Sequence, residues 1–167
     1  MSVTDELVQN SQRYAFPGAL PAPPRRQVAV VACMDARLDP CALLGLREGD
    51  AHVIRNAGGV VTEDVIRSLT ISQRLLGTRE IILIHHTDCG MLTFKDDVVK
   101  AQIEAETGLR PPFALEAFPD LDQDVRQSVA RIQASPFIPR KESVRGFVYD
   151  LQSGKLREVS ARATVPA

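Results

Sequence analysis

The 167-residue chain has no tryptophan, only two tyrosines and six phenylalanines, no excess of either charge and only three cysteines. Each scarcity excludes something. Twenty Lys and Arg against 21 Asp and Glu leave a net charge of -1, so no polyanion or anionic membrane is needed to neutralise the surface, and nucleic acid is not expected as a partner. No apolar run approaches the ~20 residues that span a bilayer. The start, Met1 to Leu7, is acidic and lacks the basic and apolar segments of a secretion signal. A cytoplasmic protein without a membrane partner is expected. In a reducing compartment an odd number of cysteines points to metal or thiol chemistry rather than a disulfide framework. The length fits one domain, able to bury roughly 70% of its unfolded surface without covalent staples.

Residues 4–15 carry Leu7, Val8 and Ala15 among polar neighbours, which predicts a weakly amphipathic helix. The Pro-rich stretch from Pro17 to Pro24 sets it apart, making residues 1–26 an arm that packs on a partner subunit and 27–167 a single domain. Val28 to Ala32 is short, apolar and without alternation, as expected of a strand covered on both faces of a parallel sheet. Asp39-Pro40 then opens a short helix that ends at Gly45. A strand at Ala51 to Arg55 follows, then a helix capped by Thr62 with Val65, Ile66, Leu69, Leu75 and Leu76 on its apolar face, and a third strand at Ile81 to Ile84.

Strand and helix alternating at these intervals predict an α/β fold, a central and mostly parallel sheet flanked by helices, with function at the carboxyl ends of the strands. A helix over 96–106, a Pro-rich loop over 108–119 and a helix carrying Leu121, Val125, Val129 and Ile132 come next. The tail, 144–149 and 155–160 around Gln152-Ser153-Gly154, predicts a hairpin that adds a C-terminal antiparallel edge strand.

Two motifs leave core strands whose exits can be neighbours in a parallel sheet: Cys33-Met34-Asp35-Ala36-Arg37 after the first and His86-Thr87-Asp88-Cys89-Gly90 after the third. Two thiolates and an imidazole suit Zn²⁺, and three protein ligands leave the fourth tetrahedral position for water, the pattern of a catalytic site. Zinc there lowers the pKa of its water toward about 7.

Cys-x-Asp-x-Arg followed by His-x-x-Cys resembles the signature of β-class carbonic anhydrases, and Arg55-Asn56-Ala57-Gly58-Gly59 resembles that family's loop beside the metal. The order of elements matches from about Val28 through the final hairpin. The resemblance implies one Zn²⁺ per chain on Cys33, His86 and Cys89, with Asp35 and Arg37 as a catalytic dyad beside the open position. It implies a substrate pocket at Asn56, Ala57, Gly58 and Gly59, and a homodimer or tetramer. The implied reaction is reversible hydration of carbon dioxide to bicarbonate and a proton by zinc-activated hydroxide. Arg37 holding Asp35 keeps the site open, whereas a freed Asp35 becomes a fourth ligand. The family's inhibitory bicarbonate site uses a tryptophan, and this chain has none.

Three other functions fit the same residues: hydrolysis of carbonyl sulfide or carbon disulfide on the same zinc, a structural or storage zinc closed by Asp35, and metal-free hydrolysis with a cysteine nucleophile and His86 as base. Among single residues, Cys41 reads as a core cysteine, His85 as a hydrogen-bonded histidine near the core or an interface and His52 as a solvated histidine on a strand edge.

Overall fold

A computed structural model of the chain describes residues 2–160. Its centre is a five-stranded sheet in the order β2-β1-β3-β4-β5. Strands β1 (Val28–Cys33), β2 (Ala51–Asn56), β3 (Glu80–His86) and β4 (Val144–Tyr149) run parallel, and β5 (Leu156–Glu158) pairs antiparallel with β4 at the edge. Every residue of β1 is buried, which is why that strand reads as an unbroken apolar run. The expected α/β architecture and the antiparallel edge are both present.

Helices cover the two faces. On one, α3 (Glu63–Arg74) and α5 (Leu121–Ala134) close a core of Ala29, Val31, Val65, Leu69, Ile81, Leu83 and Ile132. A fully buried leucine such as Leu69 contributes roughly 1.5–3 kcal/mol. On the other, Val30, Ala32, Ile84, Leu38, Val60 and Phe118 pack around Cys33 and Cys89. Helix α2 (Pro40–Leu44) starts where the Asp39 carboxylate accepts the Cys41 and Ala42 N–H groups at 3.0 Å each and stops at Gly45, φ +63°.

Several boundaries differ from the sequence-based expectation. The N-terminal helix, α1, spans Val3–Ser11, shorter than 4–15, and buries none of its residues. Helix α3 ends at Arg74, so Leu75 is its C-cap and is exposed rather than in the core. Its buried face is Val65, Leu69, Ser72 and Gln73. Strand β3 runs on through His85 and His86, because β4 continues to pair with it at Val148 and Tyr149. Helix α4 (Asp96–Thr107) buries none of its residues. Its role is at its first residue: the Asp96 carboxylate accepts the backbone N–H groups of Leu115, Glu116 and Ala117 at 2.7, 3.1 and 2.9 Å. That clamp fixes the 108–119 loop and, with the bond from Phe118 N–H to the Met91 carbonyl at 3.2 Å, lays buried Phe118 over the second core.

Candidate metal centre

Cys33 is the last residue of β1, His86 the last of β3, and Cys89 follows three residues later. Because β1 and β3 are parallel neighbours, both motifs emerge at one end of the sheet. One ligand-type atom from each of Cys33, His86 and Cys89 lies within 4.8 Å of the others, and no other such group of three His, Cys, Asp or Glu occurs among the described residues. All three side chains are buried.

The geometry fits a zinc ion. The two sulfurs are 4.0 Å apart, far beyond the ~2.05 Å of a disulfide and near the ~3.8 Å that a tetrahedral ion with ~2.3 Å bonds to sulfur requires. His86 Nδ1 donates to the Thr87 carbonyl at 2.8 Å, which leaves the lone pair on Nε2, and that buried atom has no hydrogen-bond partner. A backbone acceptor on the far ring nitrogen is the usual device for aiming an imidazole at a metal.

The electrostatics favour charge at the same place. Cys33 is pulled well below an ordinary thiol, first by its hydrogen bond to Cys89, with further help from His86 and from the backbone N–H groups of Asp35 and Gly58. Cys89 is pushed up, because Cys33 beside it holds the first negative charge. The two sulfurs thus share one proton until a cation replaces it. Burial pulls His86 down, but the neighbouring Cys33 sulfur and the Thr87 carbonyl leave it raised overall.

Asp35 and Arg37 stand beside this cluster. Arg37 Nε and Nη2 donate to the two Asp35 oxygens at 3.0 and 2.8 Å, and the Arg37 backbone N–H adds a third bond at 2.9 Å. Those bonds hold the Asp35 carboxyl far below the usual carboxylate range. Asp35 Oδ2 is 3.6 Å from His86 Nε2.

Asn56 to Gly59 line the same end of the sheet. Asn56 is the register partner of Cys33 on β2, and its side-chain Nδ2 donates to the Val60 carbonyl at 2.9 Å. Ala57 is exposed, while Gly58 and Gly59 are buried in a single 3₁₀ turn. Arg55 was legible only as part of that loop, yet its guanidinium donates to the carbonyls of Cys33, Asp35 and Leu38 at 2.8–3.0 Å and ties the first motif into shape. Nothing in the sequence marks it, since its partners are 17–22 residues away. Asp88, inside the second motif, receives Arg37 Nη1 at 2.7 Å, a pairing across 51 residues that no local pattern signals.

The remaining histidines and cysteine lie outside the cluster. His85 points to the α5 side, where its Nε2 is 2.7 Å from Asp124 Oδ2 in a buried pair. His52 differs from the expectation of a solvated side chain: it is half-buried, with Nδ1 2.7 Å from Ser72 Oγ. Cys41 is half-buried on α2 rather than fully in the core.

The profile of the family described as carbonic anhydrase matches residues 28–156. The chain belongs to the carbonic anhydrase family. The enzyme is 61% identical over 162 residues to beta-carbonic anhydrase 1 of Mycobacterium tuberculosis (strain ATCC 25618 / H37Rv), covering 96% of this chain and 99% of that one. Its fold matches the crystal structure of a carbonic anhydrase from Streptococcus mutans with a TM-score of 0.89 at 41% identity, covering 96% and 99% of the two chains. It is also 34% identical to a carbon disulfide hydrolase of Acidithiobacillus thiooxidans, over 94% of this chain and 90% of that one. These likenesses place the enzyme in the β class.

Proposed function

We infer that the enzyme interconverts carbon dioxide and bicarbonate at a zinc ion held by Cys33, His86 and Cys89, one per chain. The observation that carries this is the unpartnered, buried His86 Nε2 facing two sulfurs, with the Asp35 carboxylate 3.6 Å away. When bound, zinc supplies a Lewis-acidic position that makes hydroxide available near neutral pH.

The chain's own residues do the rest. Asp35, kept anionic by Arg37, is an acceptor only, so it receives the hydrogen of the attacking hydroxide and aims its lone pair at the carbon. Arg37 keeps Asp35 off the fourth ligand position by occupying both carboxylate oxygens. The Asn56 to Gly59 loop walls the place where a small linear substrate lies, and its Gly58 N–H faces the Cys33 sulfur. Arg37 also pairs with the exposed Asp88. This arrangement favours a working site over a structural zinc closed by Asp35, in which Arg37 would be disengaged.

Stopped-flow carbon dioxide hydration from about pH 6.5 to about pH 9, with metal analysis of the same preparation, tests the reading. A rate of zero throughout, with zinc bound, would support the structural site. The likeness to carbon disulfide hydrolases favours a second reading, hydrolysis of carbonyl sulfide or carbon disulfide on the same residues. Rates on the three substrates with one preparation separate the two.

The arm over residues 1–26 packs on a partner subunit in a homodimer or tetramer. Val3, Leu7, Val8, Tyr14 and Phe16 are all exposed in the single chain, an apolar surface that a second copy would cover. Deleting residues 1–16 and measuring mass in solution tests it, a dimer that persists counting against the arm. No helix among the described residues is long and apolar enough to cross a membrane; the free thiols of Cys33, Cys41 and Cys89 suit a reducing compartment and support the cytoplasm as the place of work.

A further inference from the structure

The Arg37 guanidinium is held on two sides. Its Nε and Nη2 grip Asp35, while Nη1 donates to Asp88 Oδ2 at 2.7 Å and Nη2 also donates to the Asp88 carbonyl at 3.0 Å. Asp88 stands between His86 and Cys89 with φ +54°. That left-handed conformation is sparsely used by residues other than glycine, though Asp and Asn tolerate it better than most. Adopting it presents both the carboxylate and the carbonyl of one residue to one guanidinium.

We propose that Asp88 is a positioning residue: it latches Arg37 and thereby keeps Asp35 off the metal position. The proposal rests on the reading that Asp35 and Arg37 govern access to that position. The lever is geometric. With Oδ2 already 3.6 Å from His86 Nε2, Asp35 needs only a modest swing to join the ligand atoms. That swing requires Arg37 to let go, and Arg37 cannot turn without breaking both Asp88 contacts.

Left to itself, a side chain as long and exposed as Arg37 samples many rotamers. Asp88 is 80% exposed, so its charge alone contributes little. Its effect comes from ordering the fork that grips Asp35. The two carboxylates do not compete, since each Arg37 N–H serves one acceptor. The latch also joins the two motifs, which are 51 residues apart in sequence, across the mouth of the site.

Two variants test the latch in the full chain. Asp88→Gly removes the carboxylate and relieves the left-handed backbone, and Asp88→Asn keeps a residue suited to that backbone but removes the charge. In the metal-free protein, solvent exchange of the Arg37 Nε–H, followed by nitrogen-15 NMR, is expected to be about tenfold faster in Asp88→Gly and intermediate in Asp88→Asn. In zinc-loaded crystals grown at one pH, Asp35 is expected to leave Arg37 for the metal in Asp88→Gly. Carbon dioxide hydration is expected to fall about three- to tenfold in kcat/KM with the zinc content unchanged.

Unchanged exchange together with an intact Asp35 to Arg37 pair in Asp88→Gly would overturn the proposal. So would loss of zinc from both variants, which would make Asp88 a support of the ligand loop instead. If the wild-type protein proves inactive on carbon dioxide, the functional reading fails, while the exchange and crystal measurements still decide the latch.

Discussion

A Cβ atom at Gly59 would lie 2.8 Å from the backbone nitrogen of Cys33 and 3.1 Å from the carbonyl oxygen of Ile84. Both neighbours are main chain in buried parallel strands, so neither can step aside. Gly59 also has φ +69°, which an L side chain resists. Gly59→Ala is therefore expected to cost about 2–4 kcal/mol, read as a lower urea midpoint, and to weaken metal retention by displacing Cys33.

Cys89 has a more direct consequence. Cys89→Ser replaces a soft thiolate by a hydroxyl that stays protonated, so zinc content is expected to fall below about a tenth of one ion per chain, and carbon dioxide hydration with it. Metal analysis after dialysis, alongside the rate, checks this. A zinc-free Cys89→Ser protein with full activity would end the metal reading.

Gly146 on β4 packs against α5, and an added methyl there would overlap Val125 Cγ1 and approach Val129 Cγ2 at 3.3 Å. Gly146→Ala is expected to destabilise by about 1–3 kcal/mol. Here the obstruction is a side chain, so shortening it should help. The double variant Gly146→Ala, Val125→Ala should be more stable than the sum of the single effects predicts by about 1 kcal/mol or more, measured as a double-mutant cycle in urea.

Asp96 gives a pH dependence with a definite sign. Burial pushes its pKa up, but the N–H groups of Ala117, Leu115 and Glu116 together outweigh this and leave it below the ordinary value. The native state thus takes up this proton less readily than the unfolded chain. The stability involved is fully present above the unfolded carboxylate value, about pH 4, and is lost as pH falls through the native value. Asp96→Asn, which cannot accept all three bonds, should lower stability by about 1–2 kcal/mol at neutral pH. Thermal unfolding at several pH values should show the gap to wild type narrowing below about pH 4.

The core strands were readable because a strand buried on both faces needs apolar residues throughout, as β1 and the start of β3 show. Capping was readable for the same local reason: Asp39 and Thr62 each bond to N–H groups two or three residues ahead. The end of α3 was not. Leu75 continues the helical spacing, yet only the position of the sheet decides that it faces solvent. His85 and His86 were expected just beyond β3, and it is pairing with a strand some sixty residues later that draws them into it.

Spacing and hydrophobic pattern act over a few residues, and they are enough to fix the residue chemistry: the two ligand motifs, the strands that carry them and the glycines between them. Packing in three dimensions is what brings Arg37 to Asp88, His85 to Asp124 and Arg55 to the carbonyls of the first motif. Those contacts join residues 20 to 51 positions apart. A hydrogen bond depends on where atoms lie in space, and that is settled by how parallel strands stack and helices pack across them.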